Sequence, residues 1–484
     1  MKRPFLIAGI LSLVLSFAAL YLGKIGVIVF SGFTFALYLT LFILKRKLFL
    51  RLLVPLFFVI LAIFNSFATV NHIKSAENLP LEEKTLKGVV TESPKIYPSG
   101  QAIILESKEI NGKAWIFSNA IYDIKAGDEV SLVVDLQKMD VNQRENNYSK
   151  GIYLNGFLSS LNQIKRPDFS MLRLMADFRE GIENTIFKRT NQRNAPLLIA
   201  LTTGNKSYIS GSDQRAINNA GVSHIMAVSG LHLGIICLNL NKLLKRFKVN
   251  DKIIGLCGMF AVFLVLLACG FQISAIRASV VYIILLLGKI IHRKGDGLNS
   301  LFVAITLIVT ASPLIIGNVS FLLSVSSTFG IVVLYPMLSK LLGGVKRGGK
   351  IGKVLNGGLD IALVSFAAVI CAMPVLVYYF ESTSTVQLLV NVLVLYVANK
   401  VLMLTAVGLI ISIIPIINII SAVIFFVAQI GMEYFMAVVR FFGSNDSVLL
   451  YMKKEMSIFW IIFDVALFIF SYLGVKRSEK SGSE

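Results

Sequence analysis

Polar side chains gather at the start of one otherwise apolar segment, residues 220–236. His224, Ser229 and His232 lie there among Ala, Val, Ile, Met and Leu residues. An imidazole can titrate near neutral pH and bind phosphate when protonated, and it can activate a neighbouring hydroxyl as a nucleophile. Polar groups are costly inside a bilayer, so they usually face a bundle interior or a water-filled cavity. This segment is therefore the first candidate for a functional site.

A serine near a histidine raises one alternative, an intramembrane serine hydrolase. The i, i+3 spacing of Ser229 and His232 on one helix rarely lets an imidazole reach a hydroxyl in attack geometry. The sequence also lacks the Gly-x-Ser-x-Gly turn of serine hydrolases. A zinc site needs a third ligand, which the histidine pair lacks in sequence. We therefore expect no enzyme activity, no metal and no other cofactor.

The glycine-rich stretch 344–351 is one residue short of a phosphate-binding P-loop. Ile351 occupies the position where a serine or threonine would hold magnesium, and the stretch follows a predicted membrane helix and not a strand. Nucleotide binding is not expected, so any energy for transport would come from outside this chain.

Composition places the candidate site in a membrane protein. The chain has 484 residues, 56% of them hydrophobic, and a mean hydropathy of +0.76. Windows of about 20 apolar residues, the length that crosses a bilayer as a helix, predict about twelve spans. They are residues 5–22, 25–44, 48–70, 224–241, 253–271, 273–291, 298–316, 318–341, 357–380, 386–414, 416–441 and 455–474. We expect a membrane all-α fold, a polytopic helical bundle with one inserted extracytoplasmic OB-like β-barrel domain.

The formal net charge of +20 follows the predicted topology and does not by itself indicate a nucleic-acid ligand. Basic residues cluster at six places, residues 2–3, 45–47, 242–248, 293–294, 346–353 and 476–477. With both termini cytoplasmic, alternation of the spans puts all six clusters on the cytoplasmic side, as the positive-inside rule requires. We therefore predict a multi-pass protein of the cytoplasmic (plasma) membrane with both termini cytoplasmic.

Residues 80–165 are strand-like and lie between predicted spans. Runs such as LKGVVTE (86–92) and EVSLVVDL (129–136) are rich in β-branched residues and are separated by Asn-Gly and Gly-Asp turn signals. Such short strands favour a small OB-like barrel, a fold that often binds single-stranded nucleic acid. The region carries 10 Lys/Arg and 11 Asp/Glu without a basic stripe, so a DNA-gripping role and a purely structural role both stay open.

Two helical segments follow this domain. Residues 169–190 have apolar side chains at helical spacing, which predicts an amphipathic helix on the outer membrane surface or against the bundle. Residues 195–204 are apolar but too short to span, so a re-entrant or buried segment is expected there. The predicted order is therefore three transmembrane helices in 1–75, the OB-like domain in 80–165, the amphipathic and re-entrant segment in 169–223 and a transmembrane domain in 224–475.

Four ordered motifs point to a known family. A Gly-x-x-His segment followed by Ala-x-Ser-Gly-Leu-His-x-Gly is matched by Gly221, His224, Ala227, Ser229, Gly230, Leu231, His232 and Gly234. Three more motifs are SAIRAS (274–279), SPLIIGNVSFLLSVSSTFGI (312–331) and MPVLVYYFESTSTVQLLVNVLV (373–394). Together they strongly resemble the signature of the ComEC family, the bacterial competence channels for DNA uptake.

The resemblance implies that residues 224–475 are a competence-type transmembrane channel domain and that 476–484 are a cytoplasmic tail. It implies passage of single-stranded DNA across the cytoplasmic membrane during natural transformation. The implied partners are the lipid bilayer, a DNA receptor, a cytoplasmic motor helicase and a separate nuclease. Many members carry a C-terminal metallo-β-lactamase-like domain that has no counterpart in this sequence, so we expect a short form. A multi-span transporter of small molecules or lipids is the alternative.

Six polar residues fall at or within about two turns of the predicted extracytoplasmic end of a span: His224, Gln272, Ser274, Arg277, Glu381 and Asn391. With Ser229 and His232, they are expected to line one outward-facing vestibule. Arg277 could pair bidentately with phosphate, or form a structural ion pair with Glu381. Asn391 could donate to phosphate or base edges, or bond to a neighbouring helix.

Three glycines of the signature are expected to serve helix packing. Gly221 precedes the motif helix, and Gly230 and Gly234 are four residues apart, a spacing that lets helices approach closely. The sequence departs from the family after Asn391, where members commonly have a proline and this chain continues VLVLYVANK. The sequence therefore lacks the proline that would kink the helix at that place.

Overall fold

The computed structural model describes residues 4–44, 46–79, 82–97, 99–226, 230–290, 296–341 and 349–481. Its helices are α1 Pro4–Leu44, α2 Arg46–Glu77, α3 Val141–Tyr148, α4 Met171–Arg189, α5 Ala195–Thr203, α6 Gly211–Asn219, α7 Gly230–Arg246, α8 Asp251–Ala268, α9 Ile273–Ile290, α10 Gly297–Ala311, α11 Val319–Phe329, α12 Tyr335–Leu341, α13 Gly349–Phe380, α14 Gln387–Ser412, α15 Asn418–Gly443 and α16 Met456–Ser481. Its strands are β1 Glu83–Val90, β2 Lys95–Tyr97, β3 Gly100–Ser107, β4 Gly112–Ser118, β5 Glu129–Lys138, β6 Ile152–Lys165, β7 Ser382–Ser384 and β8 Leu449–Tyr451. The chain is mostly helical, as predicted for a membrane all-α protein.

Seven helical segments of the described chain are long and apolar enough to cross a bilayer: Pro4–Ile43, Leu52–Glu77, Asp251–Ala268, Val319–Leu341, Asn356–Phe380, Gln387–Ser412 and Pro415–Gly443. Three shorter apolar helices are Ser274–Leu287, Gly297–Ala311 and Met456–Ser471. The two spans predicted over 5–22 and 25–44 fall inside α1, whose helical geometry breaks at Gly23 (φ 59°, ψ −138°). Glycine tolerates that backbone conformation because it has no Cβ. The predicted count of twelve spans stays a prediction.

One compact unit comprises Met1–Gly181 and Asn299–Phe321. Its strands form a six-stranded sheet of order β1-β5-β6-β4-β3-β2, in which β4 and β6 run parallel. β1 also pairs with β3, but only at Val89↔Glu106 and Val90↔Leu105. The predicted OB-like barrel is corrected accordingly, because the sheet is not closed into a barrel. β2 already pairs with residues 100–102 on the same edge of β3. Only the C-terminal part of β3 is therefore available to pair with β1.

A buried ion pair fastens α4 to this β-domain. Asp128, directly before β5, is fully buried. Its carboxylate accepts a hydrogen bond from the Lys125 backbone N–H at 2.9 Å and one from Arg173 Nη1 of α4 at 3.0 Å. A buried charge needs such partners, because an unpaired one is strongly destabilising. The first half of α4 is therefore held by electrostatics as well as by its apolar face.

The second compact unit comprises Ile182–Leu298 and Leu322–Glu484. Its largest apolar cluster joins α5, α6, α14 and α15, with Phe425 and Phe435 fully buried in it. A second cluster joins α7, α8 and α9, and a third joins α12, the turn before it, α13 and α16. The segment predicted to be re-entrant or buried is α5, whose residues are mostly buried.

The amphipathic helix predicted over 169–190 corresponds to α4. Its last turns pack against the largest cluster of the second unit through Ile186, which is fully buried. Glu183, an acidic residue of this amphipathic helix, is only 5% exposed. Helical periodicity identified the helix but could not reveal that this carboxylate has partners in a later loop.

Candidate functional site

The site is built on the loop that follows α5. Gly204 ends that helix in the left-handed conformation, with φ at 75°. Glu183 accepts hydrogen bonds from Asn205 Nδ2 at 2.9 Å, Tyr208 OH at 3.2 Å and Thr203 Oγ1 at 3.3 Å. Burying a carboxylate without partners would be costly. Three donors, one from the last residue of α5 and two from the loop after it, therefore satisfy Glu183 and fix the loop in one arrangement.

Lys206 is the cation that this loop presents. Its Nζ donates a hydrogen bond to the backbone carbonyl of Ser223 at 3.1 Å, and its charge interacts with His224. Burial lowers the pKa of Lys206 from its ordinary value. Our sequence reasoning missed this residue. A signal was present, since Lys206 is the one charged residue in the sequence between Arg193 and Asp213.

The two histidines of the motif lie close together in different surroundings. The ring of His224 bonds to the backbone of Gly221, and its side chain is solvent-accessible although many protein atoms surround it. His232, on α7, is 3% exposed and bonds to the backbone of Ile225. The imidazoles are within electrostatic range of each other. His224 is thus the accessible member of the pair and His232 the buried one.

Gly221 brings the turn that carries His224 against the start of α14. Its φ of 73° lies in the left-handed region, and a Cβ there would stand 2.7 Å from the Cβ of Gln387 and 2.9 Å from that of Ser384. Asn391 follows Gln387 by four residues, so both lie on the same helix face. Asn391 is 3% exposed, and its Oδ1 has no hydrogen-bond partner among the described residues.

Arg277, on α9, is a buried cation. Its side chain is 3% exposed, and Nη1 has no hydrogen-bond partner within the described part of the chain. The ion pair considered with Glu381 is not formed. The Glu381 side chain is exposed, and its backbone carbonyl instead accepts a hydrogen bond from Met452 N at 2.9 Å. A guanidinium stays charged when buried, so one without an acidic neighbour suits an anionic ligand.

Gln272 and Ser274 connect the start of α9 to the rest of the site. A Cβ on Gly204 would stand 2.7 Å from Gln272 Nε2, so this side-chain amide lies directly against the loop after α5. Ser274 is half-buried. Helix α7 packs against both α9 and α14. The helices that carry Arg277 and Asn391 therefore flank the helix that carries the motif histidine.

The motif glycines of α7 differ in their surroundings. A Cβ on Gly230 would meet the Cβ of Ala278 at 3.5 Å, which is ordinary contact. A Cβ on Gly234 would meet nothing within 4 Å among the described residues. The described residues therefore show no close helix contact at Gly234, and the close approach expected there stays a prediction. Leu233 and Cys237, each three residues after one of these glycines, pack in an apolar cluster with residues of α8 and α9.

Ser229 lies outside the described residues, together with Ala227 and Val228. The hydrolase alternative for Ser229 and His232 therefore stays a sequence-based hypothesis. For the residues whose placement is described, no group of three His, Cys, Asp or Glu side chains is arranged to hold a metal ion.

The β-domain has a cavity of its own, of about 930 Å³. Its ionisable lining residues are His72, Lys87, Lys108, Lys165, Glu106, Glu109 and Glu129. A surface that grips a phosphate backbone carries an excess of positive charge. This lining is evenly mixed, in keeping with the charge balance of residues 80–165.

Glu183, Ser384 and Gln387 also belong to the site and were not expected from the sequence. Ser384 and Gln387 stand in the polar run STSTVQ (382–387) inside one of the recognised motifs, and that run was a usable signal. For Glu183 there was none, because a carboxylate in an amphipathic helix normally faces water.

Comparison with known proteins places this site in a recognised region. A family model described as Competence protein matches residues 201–477, which contain every site residue except Glu183. The chain is 21% identical over 250 residues to ComE operon protein 3 of Bacillus subtilis (strain 168), an alignment that covers 51% of this chain and 30% of that protein. The match thus spans less than a third of that relative's length. No solved structure matches the chain.

Proposed function

Because the chain belongs to the competence protein family, we propose that it is a DNA-uptake channel that passes one strand of DNA across the cytoplasmic membrane during natural transformation. On this proposal the chain is a channel and not an enzyme. A DNA receptor delivers the DNA, and a separate nuclease degrades the strand that is not transported. A cytoplasmic motor helicase supplies the force that moves the other strand inward. About twelve spans with both termini in the cytoplasm would open the site toward the outer face.

One observation carries the proposal, the buried guanidinium of Arg277 without an acidic partner among the described residues. Charged groups within membrane domains are normally paired or face a wet cavity. A guanidinium matches the geometry of a phosphate oxygen pair, and the hydrogen bonds to it are strong because both partners are charged. A passing DNA strand presents one phosphate per nucleotide and would supply the missing anion.

Other polar groups around α7 suit the same ligand. Lys206 adds a second cation, His224 an accessible imidazole and Asn391 a buried amide one turn into α14. Moving a polyanion through hydrocarbon is prohibitive unless such groups replace its hydration. We propose that these side chains form a polar path at the entrance.

Replacement of Arg277 tests the proposal. Transformants are counted for Arg277→Ala and Arg277→Lys after membrane levels are shown to be normal. The alanine variant should lose transformation by about tenfold or more, since a charge-assisted hydrogen bond contributes about 1.5–3 kcal/mol. Lysine should restore only part of it, because an ammonium lacks the planar fork of arginine. Wild-type transformation from both variants would end the proposed role.

A matched control comes from Arg215, an exposed arginine of α6. Arg215→Ala removes the same charge outside the site and should transform like the wild type. An equal loss from this variant would mean that total charge matters and that Arg277 has no special role.

Two further strains separate the alternatives. Deletion of the chain should abolish DNA uptake, whereas a transporter of small molecules or lipids would leave transformation unchanged. Ser229→Ala should be tolerated by a channel but should inactivate an intramembrane hydrolase, which depends on that nucleophile.

A further inference from the structure

A carboxyl group lies in the middle of the last apolar helix, away from the site described above. Asp464 is the one charged residue of MSIFWIIFDVALFIFS (456–471) in α16. An ionisable residue at such a position is costly and usually marks a functional site. The proposed DNA path does not use it, since α16 belongs to the cluster formed with α12 and α13.

Asp464 is partly buried, on the face of α16 that packs against α12 and α13. Trp460, Leu467 and Phe468, about one turn to either side of it, pack against the buried residues of that cluster. Residues three and four positions apart share one face of a helix. The carboxyl group is therefore directed toward α13, where the Cys371 thiol is within electrostatic range.

Among the described residues, no Lys or Arg forms an ion pair with Asp464. Its Oδ1 is buried without a hydrogen-bond partner in that part of the chain. The Cys371 thiol is within electrostatic range of Asp464, and Tyr335 packs against the same apolar cluster. Lys340 of α12 and Asp360 of α13 have partners of their own. Burying an ionised carboxylate in such an apolar interface costs much free energy, whereas a protonated carboxyl group carries no charge and avoids that cost.

The backbone is irregular in the helix that meets the same thiol. Residues Gly330–Leu334 form a π-helical turn, closed by the Tyr335 N–H donating to the Gly330 carbonyl. A Cβ on Gly330 would collide with the Ala367 carbonyl and stand 2.9 Å from Cys371 Sγ. π turns are frequent at functional sites, and irregular backbone at membrane depth is tolerated where it is buried in protein or lines a cavity. A carboxyl group and a widened turn therefore meet at Cys371.

We propose that Asp464 is a proton-binding site, neutral in the packed structure and able to release its proton when the layer of Gly330, Cys371 and Asp464 opens to water. Release gives a carboxylate and one proton to water, and uptake reverses the step. No bond between heavy atoms changes. The inference does not rest on DNA passage, so its test is independent of transformation.

The test uses dicyclohexylcarbodiimide, an apolar reagent that enters bilayers and modifies protonated carboxyl groups. Membranes with the full chain are treated from about pH 5 to about pH 9, and modified peptides are located by mass spectrometry. Labelling of Asp464 should fall about tenfold per pH unit once the group ionises. Asp464→Asn should remove the label, while Asp360→Asn, the matched change in α13, should leave labelling at Asp464 unchanged.

Three results would overturn the proposal. Labelling at Asp464 that is independent of pH would mean that no proton is exchanged there. Protection by sodium ions at constant pH would identify an alkali cation as the ligand in place of the proton. If Asp464 stays unlabelled, infrared spectra show whether its carboxyl group is protonated. The proposal requires a protonated carboxyl band in the wild type and in Asp360→Asn that is absent from Asp464→Asn. No such difference would mean that the group is ionised.

Discussion

Lys206 Nζ donates a hydrogen bond over 3.1 Å to the backbone carbonyl of Ser223, the residue before His224. This bond links the loop after α5 to the turn that enters the motif helix. An ammonium group has three donors, so one backbone acceptor leaves others for an anion. The contact therefore positions a cation beside an accessible imidazole without neutralising it.

Single-stranded DNA binding by the purified protein should depend on pH through Lys206. Burial lowers the pKa of Lys206, so its charge is lost at a lower pH than that of an ordinary lysine. Affinity for an oligonucleotide should then fall as pH rises through that lowered pKa. Lys206→Arg keeps its charge and should remove this fall, whereas Lys206→Ala should bind weakly at every pH. A pH dependence that persists in Lys206→Arg would assign it to another group.

The same lowered pKa predicts that the free energy of unfolding changes with pH in the opposite direction to the affinity for DNA. Between the folded and unfolded pKa values, the unfolded chain binds the proton more tightly, so the free energy of unfolding rises with pH. Lys206→Met should flatten that part of the curve. Thermal unfolding of detergent-solubilised protein at several pH values measures it, and an unchanged slope would contradict the buried position of the ammonium group.

Loss of the Glu183 carboxylate should release the loop after α5. Glu183→Ala leaves Thr203, Asn205 and Tyr208 without their shared acceptor, at a cost of about 1–3 kcal/mol. Transformation should fall with it, because Lys206 loses its fixed position. Glu180→Ala is the control, since its ion pair with Lys125 is half-exposed and contributes about 0–1 kcal/mol. Equal melting temperatures for both variants would contradict the role of Glu183.

Two glycines of the signature should respond oppositely to alanine. Gly221→Ala forces a side chain into the left-handed region and against Gln387, so a loss of about 1–2 kcal/mol or more is expected. Gly234→Ala meets open space in a helix and should be neutral, or stabilise by about 0.5–1 kcal/mol. Melting temperatures measure both, and a destabilised Gly234→Ala would indicate a close contact at that face.

We expect the β-domain to become less stable when the buried ion pair between Asp128 and Arg173 is broken. Asp128→Ala leaves Arg173 without its acceptor, and a cost of about 2 kcal/mol is expected, because Arg173 is partly exposed. Hydrogen exchange of β1 and β5 amides should accelerate. Asp123→Ala breaks an exposed pair with Arg166 and should leave exchange unchanged. Unchanged exchange in the Asp128 variant would mean that packing alone fixes α4.

The sequence predicted the helical class, the strand region and α5 because hydropathy and periodicity are local properties. It could not predict that the sheet stays open, since the pairing of β1 with β3 is limited by β2 on the same edge of β3. The break in α1 at Gly23 lies between the two spans predicted over 5–22 and 25–44. Composition could not predict the backbone conformation of Gly23 itself.

For the site, the sequence identified residues whose chemistry is unusual in an apolar setting, such as Arg277 and His224. It could not decide between phosphate and an ion pair for Arg277, because Glu381 is distant in sequence and its backbone conformation (φ 52°) is set by the β7–β8 pairing. Glu183 stayed hidden for the same reason, since its partners lie about 20 residues later in a loop.

Arg277 is buried on α9, so its guanidinium has little room to move relative to that helix. Phosphates recur at even intervals along a nucleic-acid strand. On the proposed function, a strand drawn past a stationary guanidinium advances in discrete increments of one nucleotide and dwells briefly at each. Single-molecule records of uptake would then contain pauses at that interval, and Arg277→Lys, whose ammonium lacks the fork that holds two phosphate oxygens, would shorten them.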